Sequence, residues 1–335
     1  MEKRKILVTG GTGYIGSHTV VELILSGYTV EILDNLYNSD GKSLDGIEQI
    51  TGVRPKLHIV DLLDFEATNE VLAEGGFETV MHFAGLKVVT ESVEQPLRYY
   101  ENNIMGTINL LKAMRRNNVK KLVFSSSASV YGEKDVAEMR EDMEVGQKIF
   151  CPYGRTKYMI EQILLDEVAA DDGLEVAILR YFNPVGAHPS GLIGENPKES
   201  PGNLMYVVMR VARGELKTLK IFGTDYETRD GTAIRDFIHV VDLAKGHIAV
   251  LKKMRPGALI YNLGTGTGTT VKELIKAFEK ASGQTLPVEY AERRSGDLPA
   301  VYANADKANE ELGWKAELSI DEAMKDTINY LRKNS

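Results

Sequence analysis

The sequence predicts an α/β protein built on a doubly wound parallel sheet, followed by a smaller α/β domain. From residue 5 to residue 182, short apolar runs bounded by turns alternate with helical patterns, as in βαβ units whose parallel sheet is covered on both faces. Beyond Asn183 the sequence is rich in Gly, Pro and Asn and loses regular periodicity. A chain of 335 residues is long enough for about two domains, so we place the boundary there.

The first βαβ unit contains a glycine-rich turn between an apolar run at 5–9 and an amphipathic segment that ends near Ser26. Glycines spaced three residues apart let the backbone turn sharply, approach a pyrophosphate closely and pack the new helix against the strand. This pattern is typical of a Rossmann-type nucleotide loop, and its glycines are Gly10, Gly13 and Gly16. Glycines also end strands for purely structural reasons, so the glycines alone do not establish a nucleotide-binding loop, and the next strand supplies the further evidence.

The strand predicted at 29–33 ends in Asp34. A carboxylate at that position can accept hydrogen bonds from both hydroxyls of an adenosine ribose, and it repels a 2'-phosphate. The predicted cofactor is therefore NAD in preference to NADP.

The remaining elements follow in order along the chain. In the first domain, strands are predicted at 56–61, 79–85, 121–127 and 175–182, and helices at 64–74, 96–117 and 153–170. In the second, helices are predicted at 204–213, 271–282 and 321–332, and a strand at 219–223. The segments 237–254 and 258–264 again form a strand, helix, strand pattern that we expect to return to the first domain. We therefore predict a NAD-binding domain at 1–182, joined by 236–264, and a substrate domain at 183–335.

Composition excludes several classes of protein. Cys151 is the only cysteine, so a disulfide within the chain and a cysteine-based zinc site are excluded. His82, His188 and His239 lack metal-ligand spacing, and we predict no metal. The net charge is −8, with 40 basic and 48 acidic residues, and no basic block indicates nucleic-acid binding. No apolar run reaches the roughly 18 residues of a membrane span, and no signal-peptide pattern begins the chain, so we predict a cytoplasmic protein.

Two motifs of the first domain carry side chains suited to acid–base chemistry. A serine-rich stretch at 125–132 begins at the end of a predicted strand, and Tyr153 and Lys157 lie four residues apart on one face of a helix. An ammonium near a phenol favours the phenolate, and we expect it to lower the pKa of the tyrosine and make it a general base. An isolated pair of this kind is more often a boundary tyrosine and a solvated lysine. Beside a nucleotide loop, it predicts a base next to a hydride acceptor.

The chain resembles the extended short-chain dehydrogenase/reductase family from residue 5 to about residue 331. The motifs that carry the resemblance are the glycine loop, the serine-rich stretch, the Tyr153 to Lys157 motif and the stretches 82–87, 102–103, 180–187, 235–240 and 296–300. The resemblance implies an NAD domain, a C-terminal domain for a UDP-hexose, and inversion of carbon 4 of that sugar with NAD bound throughout. It also implies a homodimer formed through the helices at 96–117 and 153–170, although the apolar faces of these helices could equally be core.

Carried over position by position, the resemblance implies a set of NAD contacts. They are Gly10, Gly13, Tyr14, Ile15, Gly16, Asp34, Asn35, Leu36, Asn38, Ser39, Asp61, Leu62, Phe83, Ala84, Gly85, Lys87, Asn102, Ser127, Tyr153, Lys157 and Phe182. Without the resemblance, Asp61 is equally well explained as a helix cap.

The resemblance also implies roles in the reaction. Tyr153 would take the proton of the sugar 4'-hydroxyl, Ser127 would hydrogen-bond the same oxygen, and Lys157 would hold the nicotinamide ribose, leaving a transient 4-keto sugar. The implied substrate contacts are Lys87, Ser127, Tyr153, Asn183, Asn203, Leu204, Phe222, Arg235, Arg294, Asp297 and Val301. Taken singly, the two arginines also fit surface ion pairs, and Asn183, Asn203 and Asp297 also fit turns or caps.

Several other functions share parts of this pattern. Family dehydratases and decarboxylases place acids where this chain has Ala128 and Ser129, so both rank below an epimerase. An epimerase of UDP-uronates, or another nucleotide-sugar dehydrogenase, remains open. A regulator that senses NAD without turnover would have no reason to retain Ser127, Tyr153 and Lys157.

One position bears on the choice of sugar. Val301 stands where many members of the family carry a bulky tyrosine beside the hexose, and a smaller residue leaves room for an N-acetyl group. The adjacent Tyr302 could fold back into the same space.

Overall fold

The structure is a computed structural model and describes residues 4–198, 203–294 and 296–334. Its strands are β1 (Lys5–Thr9), β2 (Thr29–Asp34), β3 (Lys56–Ile59), β4 (Thr79–His82), β5 (Lys121–Ser127), β6 (Glu138–Met139), β7 (Glu175–Tyr181), β8 (Asn183–Val185), β9 (Leu219–Phe222), β10 (Ile234–Arg235), β11 (Phe237–His239), β12 (Gly257–Leu263), β13 (Thr269–Thr270), β14 (Val288–Ala291) and β15 (Ala300–Ala303).

The helices are α1 (Tyr14–Leu25), α2 (Ser43–Thr51), α3 (Phe65–Gly75), α4 (Val89–Glu94), α5 (Pro96–Tyr99), α6 (Gly106–Arg116), α7 (Pro152–Ala170), α8 (Leu204–Ala212), α9 (Val240–Leu251), α10 (Val271–Ser282), α11 (Asp306–Leu312) and α12 (Ile320–Lys333). A π-helical turn (Tyr100–Met105) joins α5 to α6, and a 3-10 turn (Ala128–Tyr131) follows β5. None of the helices in the described part of the chain combines the length and apolarity needed to cross a membrane.

Seven strands form a parallel sheet in the order β12-β7-β5-β4-β1-β2-β3. This sheet confirms the predicted doubly wound α/β fold. Because β1 pairs with β2 on one side and with β4 on the other, the strand order reverses beside β1. Ligands of doubly wound sheets bind outside the carboxyl ends of the strands at this reversal.

Alternation along the central strands divides the apolar core between the two faces of the sheet. In β1, Ile6 and Val8 join a cluster with α1, α2 and α9, whereas Leu7 joins a second cluster with α3, α6 and α7. All three side chains are almost completely buried. Strands covered on both faces read as continuous apolar runs, which is why the sequence pattern located β1 and β5 with their observed bounds.

The predicted helix at 96–117 is interrupted by the π-helical turn, and three helices, α2, α4 and α11, were missed. The α11 helix has only seven residues, of which Ala308 and Leu312 are buried. The α2 helix buries only Leu44, Gly46 and Ile47, and α4 buries only Ser92, so neither presents a long apolar stripe. The strands predicted at 56–61 and 79–85 end earlier, at Ile59 and His82. The residues beyond these strand ends turn into the loops that form the site described below.

The C-terminal part contains a third apolar cluster, formed by α8, β9, α10 and α12. The chain crosses between this part and the large sheet more than once. The strand β12 pairs with β7 at the edge of the seven-stranded sheet, and α9 packs against α1. In contrast, β11 pairs with β8 in a separate two-stranded sheet.

Phe278→Ala tests the third apolar cluster. The Phe278 side chain is fully buried, so its truncation should lower the free energy of unfolding by about 3–5 kcal/mol. Urea unfolding followed by far-ultraviolet circular dichroism measures this loss, and Tyr290→Ala, at an exposed position, is the matched control. A loss at Phe278 no larger than that of the control would contradict the packing of this cluster.

Candidate active site

A cavity of about 310 Å³ lies at the carboxyl edge of the large sheet, beside the reversal at β1. Its walls come from both parts of the chain. Residues that follow β1, β2, β3 and β4 line one side, and 192–197, Tyr330 and Asn334 from the C-terminal part line another. These C-terminal residues were not predicted, because no local pattern connects them with a site formed nearly two hundred residues earlier.

The turn after β1 is packed too closely to tolerate larger residues. Gly10 has a φ of 70°, and a Cβ atom there would lie 2.7 Å from the backbone nitrogen of Ala84. A Cβ atom at Gly16 would lie 2.2 Å from the carbonyl oxygen of Gly10. This contact brings α1 against the strand and turns its N-terminus, at Gly13 to Gly16, toward the cavity. Since Gly13 has no side chain to cap the helix, the first N–H groups of α1 suit an anionic ligand.

Asp34, at the end of β2, is held by the same turn. One of its carboxylate oxygens accepts hydrogen bonds from the backbone and hydroxyl of Thr12, at 3.1 and 2.6 Å, and the other accepts from the backbone of Leu36 at 2.9 Å. Asp34 lines the cavity. The carboxylate is therefore fixed where a sugar hydroxyl of a nucleotide could reach it.

Asp61 also lines the cavity, and it does not cap the following helix. The N-cap of α3 is Asp64, whose side chain accepts from the backbone of Ala67. Asp61 instead accepts from the amide of Asn35 at 2.8 Å and from the backbone of Leu63 at 2.9 Å. The helix-cap interpretation of Asp61 is wrong.

The π-helical turn places two adjacent asparagines at the cavity. Asn102 lines it, and the Asn103 side chain accepts from the backbone nitrogen of Leu86 and donates to the Leu86 carbonyl, at 2.8 and 3.0 Å. Asn103 also donates to the Thr156 hydroxyl on α7 at 3.1 Å. It thereby ties the loop after β4 to the helix that carries Tyr153. A π-helical turn is a frequent sign of a functional site, but the sequence pattern gave no signal for it.

Tyr153 and Lys157 lie at the start of α7 and line the cavity beside the end of β5. The ammonium of Lys157 donates to the carbonyl of Ser125 at 2.6 Å and lies 4.8 Å from the centre of the Phe124 ring. Tyr153 is hydrogen-bonded to Ser127. The predicted base is thus paired with the serine, and the lysine is bonded to the same strand two residues earlier, at Ser125.

Burial shifts the pKa values of the pair in opposite directions. It raises the pKa of Tyr153 to about 12, against the opposing effect of the hydrogen bond with Ser127. It lowers the pKa of Lys157 to about 8. The sequence predicted a lowered pKa for the tyrosine, and this prediction is wrong. The free-energy cost of removing the phenolate from water exceeds the stabilisation that the hydrogen bond with Ser127 provides.

A group of residues in the C-terminal part clusters around Asp297. Arg294 donates to its carboxylate at 2.8 Å and lies over the Phe222 ring at 5.0 Å, and Arg235 lies 3.6 Å from the other carboxylate oxygen. Arg235 also donates to the Leu298 carbonyl at 2.9 Å, and burial lowers its pKa. The Arg294 pair is an exposed ion pair, whereas Arg235 is largely buried.

Glu195 is a site residue that the sequence did not reveal. It is buried and lines the cavity, where it accepts from Lys87 at 3.1 Å and from Asn203 at 2.7 Å. Asn203 is also the N-cap of α8, which begins at Leu204. The cap interpretation of Asn203 is therefore correct, and its amide nitrogen remains directed at the site.

Val301 lies on β15, where it is partly buried at the edge of a small apolar cluster. It pairs with Arg235 and packs with Phe182 and Tyr131. Tyr302 occupies the next position of the strand and lies beside Gly268, so the two side chains alternate across β15. Tyr302 does not fold back over Val301.

The structure brings most of the predicted cofactor contacts to the cavity, but not all of them. Among the described residues, the predicted contacts outside its lining are Leu36, Ser127 and Phe182. Of the predicted substrate contacts, Lys87 and Tyr153 line it, whereas Asn183, Asn203, Leu204, Phe222, Arg235, Arg294, Asp297 and Val301 lie beyond it. Asn183 is exposed, and its backbone nitrogen donates to the Asp236 carbonyl at 2.9 Å. The described residues contain no cluster suited to a metal ion.

The doubly wound sheet, its glycine turn and the paired tyrosine and lysine define a nucleotide-binding α/β protein with acid–base side chains at its ligand edge. Comparison with known proteins makes this class specific. The chain belongs to the NAD dependent epimerase/dehydratase family, which matches residues 6–264.

Several relatives extend over almost the whole chain. The UDP-glucose 4-epimerase of Bacillus subtilis is 53% identical over 98% of this chain and 97% of its own length. The crystal structure of UDP-glucose 4-epimerase from Bifidobacterium longum in complex with NAD+ and UDP is 50% identical, with a TM-score of 0.95 and 98% coverage of both chains. The UDP-Glc/GlcNAc 4-epimerase of Campylobacter jejuni is 34% identical, with a TM-score of 0.85 and coverage of 98% of this chain and 99% of that one.

Lys157→Met should stabilise the nucleotide-free protein at pH 7 by about 3 kcal/mol. The unfolded chain keeps the ordinary lysine pKa of 10.5, whereas the folded value is about 8. Between these values the unfolded state binds more protons, so the wild type regains stability relative to the variant as the pH rises. Urea unfolding of both proteins from pH 7 to pH 10.5 measures the difference. An excess stability that is absent, or that does not shrink with pH, would contradict the lowered pKa.

Proposed function

We propose that the protein interconverts UDP-galactose and UDP-glucose by inverting carbon 4 of the hexose through a transient 4-keto sugar nucleotide, with NAD as its resident cofactor. The observation that carries the proposal is the grouping of Tyr153, Lys157 and Ser127 at the edge of a cavity whose other end carries the glycine turn and Asp34. The full-length similarity to UDP-glucose 4-epimerases supports it.

The residues of the cavity fit NAD. The uncapped N-terminus of α1 suits the pyrophosphate, Asp34 suits the adenosine ribose, and Asp61 lies where it could accept a hydrogen bond from the adenine amino group. Lys157 would hold the nicotinamide ribose. Bound there, NAD would supply the hydride acceptor for carbon 4 of the sugar and, in its reduced form, the hydride donor to the other face of the same carbon.

Tyr153 would accept the proton of the 4'-hydroxyl and later give it back. With a pKa of about 12 in the structure, the tyrosine is a neutral phenol at pH 7, so formation of the phenolate depends on positive charge beside it. Lys157 supplies such a charge from the same helix face. Ser127, already hydrogen-bonded to Tyr153, would bind the same sugar oxygen and shorten the path of the proton.

Inversion requires the sugar to present its second face while the nucleotide stays bound. Arg235 and Arg294 would bind the diphosphate and uridine ribose, with Asp297 and Phe222 beside them. Asn183, Asn203 and Leu204 would contact the hexose and its phosphate. Tight binding of the nucleotide and weak binding of the hexose would let the keto sugar rotate between the two transfer steps.

We propose an NAD-binding domain at 1–182, joined by 236–264, and a substrate domain at 183–335.

Elimination of water is a poor fit to the same site. The residues after Ser127 are Ala128 and Ser129, which form a 3-10 turn, and Ser129 is engaged in a hydrogen bond of 3.0 Å with the Ser127 hydroxyl. Neither residue supplies a carboxyl group that could act as an acid or a base. This supports epimerisation over a dehydratase or decarboxylase reaction.

We also propose a cytoplasmic homodimer. Apolar side chains are exposed on α5, the π-helical turn and α7, at Leu97, Met105 and Met159, and Leu97 is 81% exposed. Such a surface favours contact with a second copy. Sedimentation velocity should give a mass near twice that of the chain, and a monomer at micromolar concentration would contradict the dimer. Fractionation of the source cells tests the location.

Tyr153→Phe tests the function and the identity of the base together. Wild-type protein should convert UDP-galactose to UDP-glucose, and the variant should lose about 10²- to 10⁴-fold in kcat, because the proton acceptor is removed. Conversion is followed by a coupled assay with UDP-glucose dehydrogenase. Tyr158→Phe, one residue beyond Lys157 on the same helix, is the matched control and should keep wild-type turnover. No conversion by the wild type with NAD present would refute the proposal, and full activity of Tyr153→Phe would refute the role of Tyr153.

Val301→Tyr tests the choice of sugar. We propose that the valine leaves space for an acetamido group, so that the wild type also interconverts UDP-GalNAc and UDP-GlcNAc. The substitution should lower kcat/KM for UDP-GalNAc by at least about tenfold relative to UDP-galactose, because the tyrosine ring would occupy the space that the acetamido group needs. Tyr302→Phe is the control. Absence of N-acetyl turnover in the wild type, together with an unchanged preference in the variant, would contradict the steric argument.

A further inference from the structure

Beneath the catalytic residues lies a buried ion pair that the proposed reaction does not use. Glu161 on α7 and Arg180 on β7 form two hydrogen bonds, of 2.8 and 3.1 Å, and their side chains are 1% and 3% exposed. Two charges placed so deeply are costly unless their hydrogen bonds are well satisfied, and a packed apolar pair is often as stable. The pair therefore calls for an explanation beyond general stability.

Glu161 is hydrogen-bonded to the strand end that contacts both Lys157 and Tyr153. One of its carboxylate oxygens accepts a hydrogen bond from the Ser126 hydroxyl at the end of β5. Ser126 lies between Ser125, whose carbonyl accepts from Lys157, and Ser127, which is hydrogen-bonded to Tyr153. Glu161 thus holds the strand segment against which both catalytic side chains are placed.

Glu161 also lies one helical turn beyond Lys157 on the same face of α7. Its negative charge favours the charged form of the lysine. The other titratable groups around Lys157 are Tyr153 on the same helix, His82 from β4, and Tyr181 and Arg180 from β7. Burial lowers the pKa of His82 to about 3 and raises the pKa of Tyr181, so both are neutral near pH 7. Arg180 is already engaged with the Glu161 carboxylate.

A third contact fixes the arginine in place. Arg180 donates to the Tyr131 hydroxyl at 3.1 Å, and Tyr131 donates to Asn262 on β12 at 2.7 Å. Arg180 and the groups that hold it orient the Glu161 carboxylate, and none of them lines the cavity. A side chain constrained in this way keeps its direction when ligands enter.

We propose that Glu161 is a positioning residue of the active site: held by Arg180, its carboxylate fixes the end of β5 and supplies the countercharge of Lys157. The inference rests on the proposed function, because it assigns Glu161 to the machinery of that reaction. The residue acts through Ser126 and Lys157 and does not contact the substrate.

Glu161→Gln tests the countercharge in two ways. The variant keeps the shape of the side chain and removes its charge, so Lys157 should lose its proton at lower pH. The alkaline limb of the kcat profile for UDP-galactose should move down by about one pH unit. Independently of turnover, the pH at which half of Lys157 is acetylated by acetic anhydride, measured by peptide mass spectrometry, should fall by a similar amount. Lys157 lines the cavity, so the reagent has access to it.

Two further variants separate positioning from stability. Glu161→Gln alone leaves Arg180 buried without its partner and should lower the melting temperature, whereas Glu161→Gln with Arg180→Met removes both charges and should recover much of it. The shifts in the kcat profile and in acetylation should be smaller in the double variant than in Glu161→Gln, because the loss of Arg180 also removes a positive charge near Lys157. Glu167→Gln, on the exposed surface of the same helix and paired with Arg115, is the control and should shift neither.

The outcomes distinguish the two proposals. Wild-type pH dependence in Glu161→Gln, in both turnover and acetylation, would show that Glu161 serves stability only and would overturn the inference. If the wild type does not turn over UDP-galactose, the proposed function fails, while the acetylation profile of Lys157 still decides whether Glu161 is its countercharge.

Discussion

The architecture of the site depends on the close contact between the turn after β1 and the start of α1. A Cβ atom at Gly16 would lie 2.2 Å from the Gly10 carbonyl, and one at Gly10 would lie 2.7 Å from the backbone of the loop after β4. Because both positions are glycine, the turn and the helix can approach this closely. The helix N-terminus then faces the cavity, and Thr12 is close enough to donate to Asp34. The anion-binding end of the helix and the carboxylate are thus fixed by one packing constraint.

Burial determines the electrostatics at the opposite end of the cavity. The same loss of water raises the pKa of Tyr153 to about 12 and lowers the pKa of Lys157 to about 8, so at pH 7 the tyrosine is a neutral phenol while most of the lysine keeps its proton. A neutral phenol forms a phenolate at this pH only where positive charge beside it favours the charged form. Active sites commonly carry such costs in stability, because the charges required by the chemistry are unfavourable in an apolar interior.

The C-terminal part forms one wall of the cavity and makes hydrogen bonds to residues that follow the strands of the large sheet. Residues 192–197 form part of the cavity wall, and Glu195 joins Lys87, in the loop after β4, to Asn203 at the start of α8. The return of β12 to the edge of the sheet and the packing of α9 on α1 hold the two parts together. A cavity formed between such parts can enclose a ligand that spans both of them.

The sequence by itself determined the doubly wound fold, the bounds of β1 and β5, the glycine turn and the placement of Tyr153 and Lys157 on one helix face. These features depend on interactions between near neighbours in the chain, which periodicity and spacing record. Only the tertiary structure decided the raised pKa of Tyr153, the π-helical turn and the contacts of Glu195 and Glu161. They depend on burial and on hydrogen bonds between residues far apart in sequence, such as the contact of Glu161 with Arg180 and Ser126, and no local pattern encodes them.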